Sequence, residues 1–188
     1  FSEIITKHKN KKNIFLKIDI EGAEYEILNE IKNYPNQING FAIEFHDLNN
    51  KMKDIVSFIK NCEYYKLIHI HGNNLAIDEL RNPLTLEMTF CHTKLIDHSN
   101  KINNKEYPIS GLDSPNAKRA KDVILQFSDR DWLIMKKKII DFSKKIKSQV
   151  YINVQGDEPI INPSNIKKII NYSLKNPEEI INGYSNLD

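Results

Sequence analysis

The sequence predicts an α/β protein whose sheet is mostly parallel. Runs rich in β-branched and aromatic residues alternate with stretches of helical periodicity, and glycine or proline marks several boundaries. Over residues 14–92 the order is strand, helix, strand, helix, strand, strand. Alternation of this kind is typical of parallel strands joined by helices that cover the sheet.

The first elements follow directly from this pattern. The run IFLKIDI at 14–20 predicts a buried strand, and Gly22 allows a tight turn after it. Helical spacing of apolar residues predicts a helix over 23–34, which Pro35 ends. The next predicted elements are a strand at 40–46, a helix at 51–61, and strands at 64–72 and 83–92. Because no helix connects the last two strands, we expect them to lie side by side and antiparallel.

The second half of the chain is less regular. Residues 93–131 are polar and rich in turn residues, with a short strand predicted near 122–127. An amphipathic helix is predicted over 132–147. The last predicted elements are a buried strand from residue 150, a capped helix at 162–174 and the start of a strand near 180.

Composition argues against several classes of partner. The 188 residues carry a formal net charge of +2, so a strong polyelectrolyte partner such as nucleic acid is not indicated. No apolar run reaches the roughly 20 residues that a membrane-spanning helix needs. Cys62 and Cys91 lack metal-binding spacing, and we interpret them as reduced thiols of a cytoplasmic protein.

Polar side chains end each of the first three predicted strands. Asp19, Glu21 and Glu24 surround the end of the first, where acidic residues can also simply stabilise a helix N-terminus. The ends of the other two strands carry Glu44, His46, Asp47, His69, His71, Asn73 and Asn74. Ligands of open α/β sheets bind at the carboxyl ends of strands, so we expect a shared polar crevice. One of the two histidines of the third strand is expected to be a core residue.

Four stretches in this half resemble a known family. IFLKIDIEGAEYEIL, GFAIEFHD, IHIHGNN and PLTLEMTF resemble, in this order, the C-terminal half of FkbM-type methyltransferases, over about residues 10–127. The resemblance implies a partial Rossmann-like sheet with an antiparallel last strand, S-adenosylmethionine as methyl donor, and a sugar, glycan or polyketide hydroxyl as acceptor.

This chemistry suggests roles for the polar residues. A histidine can accept a hydroxyl proton near neutral pH, so His46 or His71 is the expected base. Asp19 and Glu21 are expected to orient the acceptor or to hold a divalent ion. Contacts to the substrate are expected from Glu44, Asn73 and Asn74.

A second signature lies at residues 150–160. The run VYINVQGDEPI, followed by a proline-capped helix, resembles CMP-Kdo synthetase, the 3-deoxy-manno-octulosonate cytidylyltransferase family, over about residues 132–188. The resemblance implies a partial α/β nucleotidyltransferase segment in which Asp157 is a ligand of the Mg²⁺ that accompanies CTP. It also implies that Gln155 faces the sugar acid, and Gly156 permits close approach of the nucleotide.

We therefore predict two partial enzymes, one at 1–127 and one at 128–188. The thirteen residues before Ile14 contain no glycine-rich donor loop, and no basic glycine-containing triphosphate loop occurs in the chain. We accordingly expect S-adenosylmethionine to bind poorly or not at all, and we expect this exact chain to complete neither reaction. A fragment of a bifunctional protein of bacterial surface-polysaccharide (lipopolysaccharide) synthesis, a misassembled reading frame and a catalytically silent scaffold remain open. We rank methyl transfer above cytidylyl transfer because it covers more of the chain.

Overall fold

The structure of the protein is a computed structural model, and the residues described in it are 5, 12–96, 102, 105–127, 130–141 and 150–155. The elements follow the chain as strand β1 (Ile14–Asp19), helix α1 (Glu24–Ile31), strand β2 (Ile38–Phe45), helix α2 (Leu48–Asn61), strand β3 (Tyr65–Gly72), strand β4 (Leu86–His92), a 3₁₀ helix (Thr93–Leu95), helix α3 (Arg130–Lys136) and strand β5 (Val150–Gln155). Up to residue 92 the predicted order is confirmed, and the predicted bounds differ by at most three residues.

The five strands form one sheet in the order β3-β4-β2-β1-β5. Strand β1 pairs in parallel with both β2 and β5, whereas β4 runs antiparallel between β2 and β3. Strands β1, β2, β3 and β5 therefore point the same way, and their carboxyl ends share one edge of the sheet. The expected antiparallel pairing of β4 with β3 is confirmed, and β4 also lies inside the sheet because it pairs with β2.

Helices α1 and α2 cover one face of the sheet, which carries the apolar half of the alternating strand pattern. Phe41, Ile43 and Phe45 of β2 are buried on this face. The Phe41 ring stacks on Phe90 of β4 with centroids 4.8 Å apart, and Phe58 of α2 meets Phe90 edge-on at 5.4 Å. Aromatic pairs in these geometries stabilise beyond the area they bury, so these rings fix α2 on the sheet.

Helix α1 ends three residues before the predicted bound. The amides of Asn33 and Tyr34 bond back to carbonyls three residues earlier, which tightens the chain out of the α-helix. Pro35 disfavours helical geometry in the residue before it, so the helix cannot run on to that point.

Helix α3 is much shorter than the helix predicted over 132–147. It ends at Lys136, Ile139 is fully buried, and the Ile140 amide donates to the carbonyl oxygen of Leu67 at 2.9 Å. Strand β3 is an edge strand with an irregular register between Leu67 and His69, which leaves this carbonyl available. Pairing with the sheet edge therefore replaces the helical continuation that the amphipathic pattern predicted.

The strand predicted near 122–127 does not form among the described residues. Val123 and Leu125 are buried and Ile124 is exposed, so the alternation that suggested a strand is real. The backbone of this segment bonds to the loop around Tyr107, where the Tyr107 carbonyl oxygen accepts from the Leu125 amide at 3.0 Å. An alternating sequence predicts a two-faced extended segment, but it does not reveal whether a ladder partner exists.

Strand β5 comes from the segment predicted as a second domain, yet it pairs with β1 over its whole length. Contacts place it in one compact unit with the residues before it. The domain boundary at residue 128 stays a prediction. The predicted helix at 162–174 and the strand near 180 lie outside the described residues. Among the described residues, no helix is long and apolar enough to cross a membrane.

Gly40 of β2 leaves no room for a side chain. A Cβ at this position would lie 2.6 Å from the carbonyl oxygen of Phe90 and 3.2 Å from the ring of Phe15. The first of these contacts is with backbone, so β2 and β4 would have to separate to admit a methyl group.

We expect Gly40→Ala to lower the free energy of unfolding by about 1–3 kcal/mol, the range for overpacking a close-packed interior. Urea unfolding followed by circular dichroism measures this change. Ser57→Ala, on the exposed side of α2, is the control and should change the free energy by less than about 0.5 kcal/mol. Equal stabilities for Gly40→Ala and the unchanged chain would contradict the close approach of β2 and β4.

Candidate functional site

The sheet face opposite α1 and α2 is polar. Strand alternation places on it the side chains of Lys17, Glu44, Glu87, Thr89, His69 and His71, which all line one cavity. The register joins them across the strands: Glu44 lies opposite Glu87, and His71 lies opposite Glu87 from the other side. A row of ionisable groups on a sheet face needs partners, because unpaired buried charges are costly.

A separate group of side chains lies at the carboxyl ends of β1 and β2. Asp19, Glu21 and His46 each offer one atom, and these atoms lie within 4.8 Å of one another. The backbone here is unusual, since Glu21 and Asp47 adopt φ values of 52° and 54°. Left-handed non-glycine residues are uncommon and concentrate at functional sites. We call Asp19, Glu21, Glu24 and His46 the strand-tip cluster.

Glu24 links His46 to the turn that follows β1. It is fully buried, and its Oε1 accepts from the Gly22 amide at 3.0 Å and the Ile20 amide at 3.3 Å. The same oxygen lies 2.8 Å from Nδ1 of His46. A carboxylate oxygen accepts, so Nδ1 is the donor of this pair and Nε2 is the ring nitrogen that remains for other contacts. Nε2 lies 3.5 Å from Oε2 of Glu21, on the exposed side of the cluster.

Tyr25 fixes the backbone that carries His46. Its hydroxyl donates to the carbonyl oxygen of His46, and its ring packs on Phe45 with centroids 5.6 Å apart. Burial and the neighbouring carboxylates, Glu24 first among them, raise the pKa of the Tyr25 hydroxyl. It therefore remains a neutral donor, and the imidazole position is set by contacts from α1 to both its ring and its main chain.

A second ionic group ties residues 105–127, which we call the covering segment, to β3 and β4. His69 Nε2 lies 2.7 Å from Oδ1 of Asp113, and His71 Nε2 lies 3.1 Å from the carboxylate of Asp122. His71 Nδ1 lies 3.3 Å from Oε2 of Glu87. His71 thus lies between two carboxylates, one on the sheet and one on the covering segment.

The charges around His71 shift its titration. The hydrogen bond to Glu87, together with the hydrogen bond and charge of Asp122, raises the pKa of His71 to about 9 despite the opposing effect of burial. The same hydrogen bond holds the pKa of Glu87 below its usual range. At neutral pH this histidine is an imidazolium paired with carboxylates, which makes it a poor proton acceptor.

The predicted substrate-binding residues of this half are buried, and Glu44 lines the cavity. Glu44 accepts from Nδ2 of Asn73 at 2.8 Å. Burial raises the pKa of Glu44, and the charges of Asp19 and Glu87 add to this effect. Asn74 bonds to the covering segment: its Oδ1 accepts from the Ala117 amide at 2.7 Å. Glu44 therefore faces the cavity, while Asn73 and Asn74 stabilise its walls.

The structure brings some of the predicted site residues together and separates others. Asp19, Glu21 and His46 meet at the strand tips. His71 lies on β3, which β4 and β2 separate from β1. Three strand spacings amount to about 14 Å, so His71 belongs to the second ionic group. The sequence predicted a single crevice, whereas the structure has two separate groups of ionisable side chains on one sheet.

Of the second signature, Gln155 is described only as the last residue of β5, where its Cα lies in register with Asp19. Gly156 and Asp157 lie outside the described residues. The carboxyl ends of β1 and β5 therefore lie side by side.

Sequence reasoning missed several functional contributors. The pairing of Glu24 with His46 joins residues 22 positions apart and depends on the turn at Glu21 and Gly22. The carboxylates that pair with the β3 histidines lie 44 and 51 positions away, in a segment predicted to be an irregular excursion. Alternation did place His69 and His71 on one face, but no local pattern reveals partners at such distances.

Comparison with known families divides the chain into two segments. Residues 1–65 match a family model described as Methyltransferase FkbM domain, and residues 135–187 match one described as Cytidylyltransferase. The resemblance to FkbM methyltransferases is confirmed over a shorter range, and the resemblance of the second segment is confirmed at the level of a cytidylyltransferase. No curated protein and no solved structure matches the chain. The mixed sheet is compatible with a methyltransferase-like fold.

The raised pKa of His71 predicts a pH-dependent stability. A histidine whose pKa is higher in the folded state stabilises the fold fully below its unfolded pKa of about 6.5, and this contribution is lost as pH rises through about 9. We therefore expect the urea midpoint to fall between pH 6.5 and pH 9. His71→Asn should be less stable at pH 6.5 and should lose most of this pH dependence. An NMR titration of the His71 ring that gives a midpoint near 6.5 would contradict the pairing.

Proposed function

We propose that the front segment carries the acceptor side of an S-adenosylmethionine-dependent O-methyltransferase. Its substrate is a hydroxyl of a sugar, glycan or related compound, in a cytoplasmic step of bacterial surface-polysaccharide synthesis. The observation that supports this proposal best is the arrangement of Glu24, His46 and Glu21 at the strand tips. It lies within the residues that match the FkbM family model.

His46 is the general base of this proposal. Glu24 Oε1 holds Nδ1–H at 2.8 Å, so the lone pair of Nε2 is directed away from Glu24. A hydroxyl within hydrogen-bond reach of Nε2 loses its proton to this nitrogen while the new O–C bond forms. The imidazolium that results lies between Glu24 and Glu21, whose carboxylates stabilise the positive charge.

Asp19 and Glu21 orient the acceptor and shape the charge of the site. Their carboxylates accept hydrogen bonds from hydroxyl groups, and holding the acceptor in line can contribute about 7–11 kcal/mol to such a reaction. The donor, when bound, supplies a methyl group on a cationic sulfonium, whose C–S bond breaks as the O–C bond forms. The acidic strand-tip cluster suits this cationic end by charge, and the buried Oε2 of Glu24 has no hydrogen-bond partner among the described residues.

The test is methyl transfer from S-adenosylmethionine labelled with ¹³C in its methyl group to a panel of methyl glycosides, detected as new O–¹³CH₃ signals by NMR. We expect His46→Asn to lower the rate by about 10²–10⁴-fold, the contribution of a positioned base. Asn keeps a polar side chain but cannot accept the proton.

Glu26→Gln is the matched control, because Glu26 is an exposed acid in the same first turn of α1. It should leave the rate unchanged. An unchanged rate in His46→Asn would show that His46 is not the general base. No transfer by the unmodified chain, together with no affinity for S-adenosylmethionine, S-adenosylhomocysteine or CTP, would favour the silent scaffold.

A second candidate function rests on the Cytidylyltransferase match at 135–187. We propose that this segment contributes to CTP and Mg²⁺ binding, with Asp157 as a metal ligand and Gln155 and Gly156 beside the substrates, as in transfer of cytidylate to 3-deoxy-manno-octulosonate. Mg²⁺ prefers carboxylate and phosphate oxygens, which an aspartate and a nucleotide triphosphate supply.

Calorimetric titration of CTP in the presence and absence of Mg²⁺ tests this candidate. We expect Mg²⁺-dependent binding that Asp157→Asn weakens by about tenfold or more, because an amide is a weaker ligand for a hard cation. Asp54→Asn, at an exposed aspartate of α2, is the control. CTP binding that does not depend on Mg²⁺ or on Asp157 would count against this role.

A further inference from the structure

The cavity on the polar sheet face is bounded by the strands and by the covering segment. It lies between β1, β2, β4 and β3 below and Leu112 and Asp113 of the covering segment above, and its volume is about 260 Å³. Pockets that bind drug-sized ligands measure about 300–1,000 Å³, so this cavity is slightly smaller and suits a single substituted ring.

Most polar groups that line the cavity are already paired. Glu87 accepts from Asn116 at 2.8 Å through one oxygen and lies 3.3 Å from His71 through the other. Asp113 is bound in the same way, by His69 at 2.7 Å and by the Ile109 amide at 2.6 Å. These groups form the walls and have little capacity left for a ligand.

Glu44 differs from them. Asn73 bonds to its Oε1, and this is the one side-chain donor that the described residues give it. Its other oxygen is an acceptor without a hydrogen-bonding side chain, although the residue is only 9% exposed. A buried carboxylate with a free acceptor position favours a ligand that donates a proton there.

Donors line the same cavity. Lys17 Nζ lies 3.3 Å from Oδ2 of Asp19 and has two further protons to donate, and Thr89 adds a hydroxyl. Of the three lining carboxylates, Glu87 and Asp113 are paired with His71 and His69, which leaves Glu44 as the carboxylate that a ligand meets. A ligand anion placed against this carboxylate is disfavoured. An ammonium could donate to Glu44, but it could not accept from Lys17.

We propose that this cavity binds one ring of a neutral polyhydroxylated molecule. One hydroxyl donates to Glu44, and a neighbouring hydroxyl accepts from Lys17. A vicinal diol does both, whereas an ammonium group can only donate and an ionised carboxylate or phosphate group can only accept. Lys17 also contacts Asp19, so a ring held here lies next to the strand-tip cluster. Its identification as the methyl acceptor rests on the proposed function, whereas binding itself does not require methyl transfer.

The experiment is an NMR titration of ¹⁵N-labelled protein without any methyl donor. Methyl α-D-glucopyranoside and myo-inositol are the neutral probes, cyclohexylammonium is the cationic probe, and glucose 6-phosphate is the anionic probe. We expect both neutral probes to shift the amide signals of Glu44 and Thr89 with saturation. Cyclohexylammonium should bind at least about tenfold more weakly because it offers no acceptor to Lys17. Glucose 6-phosphate should bind at least about tenfold more weakly because the carboxylates of Glu44, Glu87 and Asp113 repel its phosphate.

Glu44→Gln should weaken the neutral probes by about tenfold or more, because a charge-assisted hydrogen bond is replaced by a neutral one. Glu63→Gln, at an exposed position before β3, is the matched control and should bind as the unchanged chain does. Thr89→Val provides a second test that keeps the side-chain volume, and we expect it to weaken binding as well.

Absence of cavity shifts with either neutral probe, tighter binding of cyclohexylammonium, or equal affinity in Glu44→Gln would each overturn the proposal. The amide spectrum of each variant shows whether it is folded. Loss of methyl transfer in His46→Asn with retained sugar binding would separate the two proposals. Retained methyl transfer with no sugar binding in the cavity would overturn the cavity proposal and leave the proposed function standing.

Discussion

The insertion of β4 between β2 and β3 is the constraint on which the arrangement of the polar residues depends. An antiparallel strand at this position moves β3 to the sheet edge while its carboxyl end still points the same way as those of β1 and β2. The residues that follow β1 and β2 meet directly, whereas those of β3 face the side chains of β4. The sheet order therefore produces two groups of ionisable residues where a simple parallel order would produce one.

The two groups use histidine differently, and their geometry explains why. Both histidines lie between two carboxylates, but His46 Nε2 lies 3.5 Å from Glu21, whose side chain is exposed. His71 is buried between Glu87 and Asp122, with both nitrogens engaged. A base must be within reach of its substrate, whereas a buried imidazolium between two carboxylates is a structural crosslink. The second arrangement attaches the covering segment to the sheet and thereby closes the top of the cavity.

Local patterns determined much of the fold in the front half. Alternation and helical spacing identified β1 to β4, α1 and α2, because each of these elements buries an apolar side against the same core. The same reasoning overextended α3, since an amphipathic pattern cannot show that Ile140 pairs with the free edge at Leu67. It also located Asp19, Glu21 and His46 correctly at neighbouring strand tips. The partners Glu24, Asp113 and Asp122 depend on tertiary approach, which spacing along the chain does not encode.

The register of β5 with β1 connects the two family signatures physically. Gln155 lies in register with Asp19. The part of the second signature that forms β5 therefore ends at the same sheet edge as the strand-tip cluster. That edge is acidic, since Asp19, Glu21 and Glu24 surround His46 there. Such a charge distribution suits a hydroxyl or a cation, whereas it repels a bare triphosphate unless a divalent ion neutralises it.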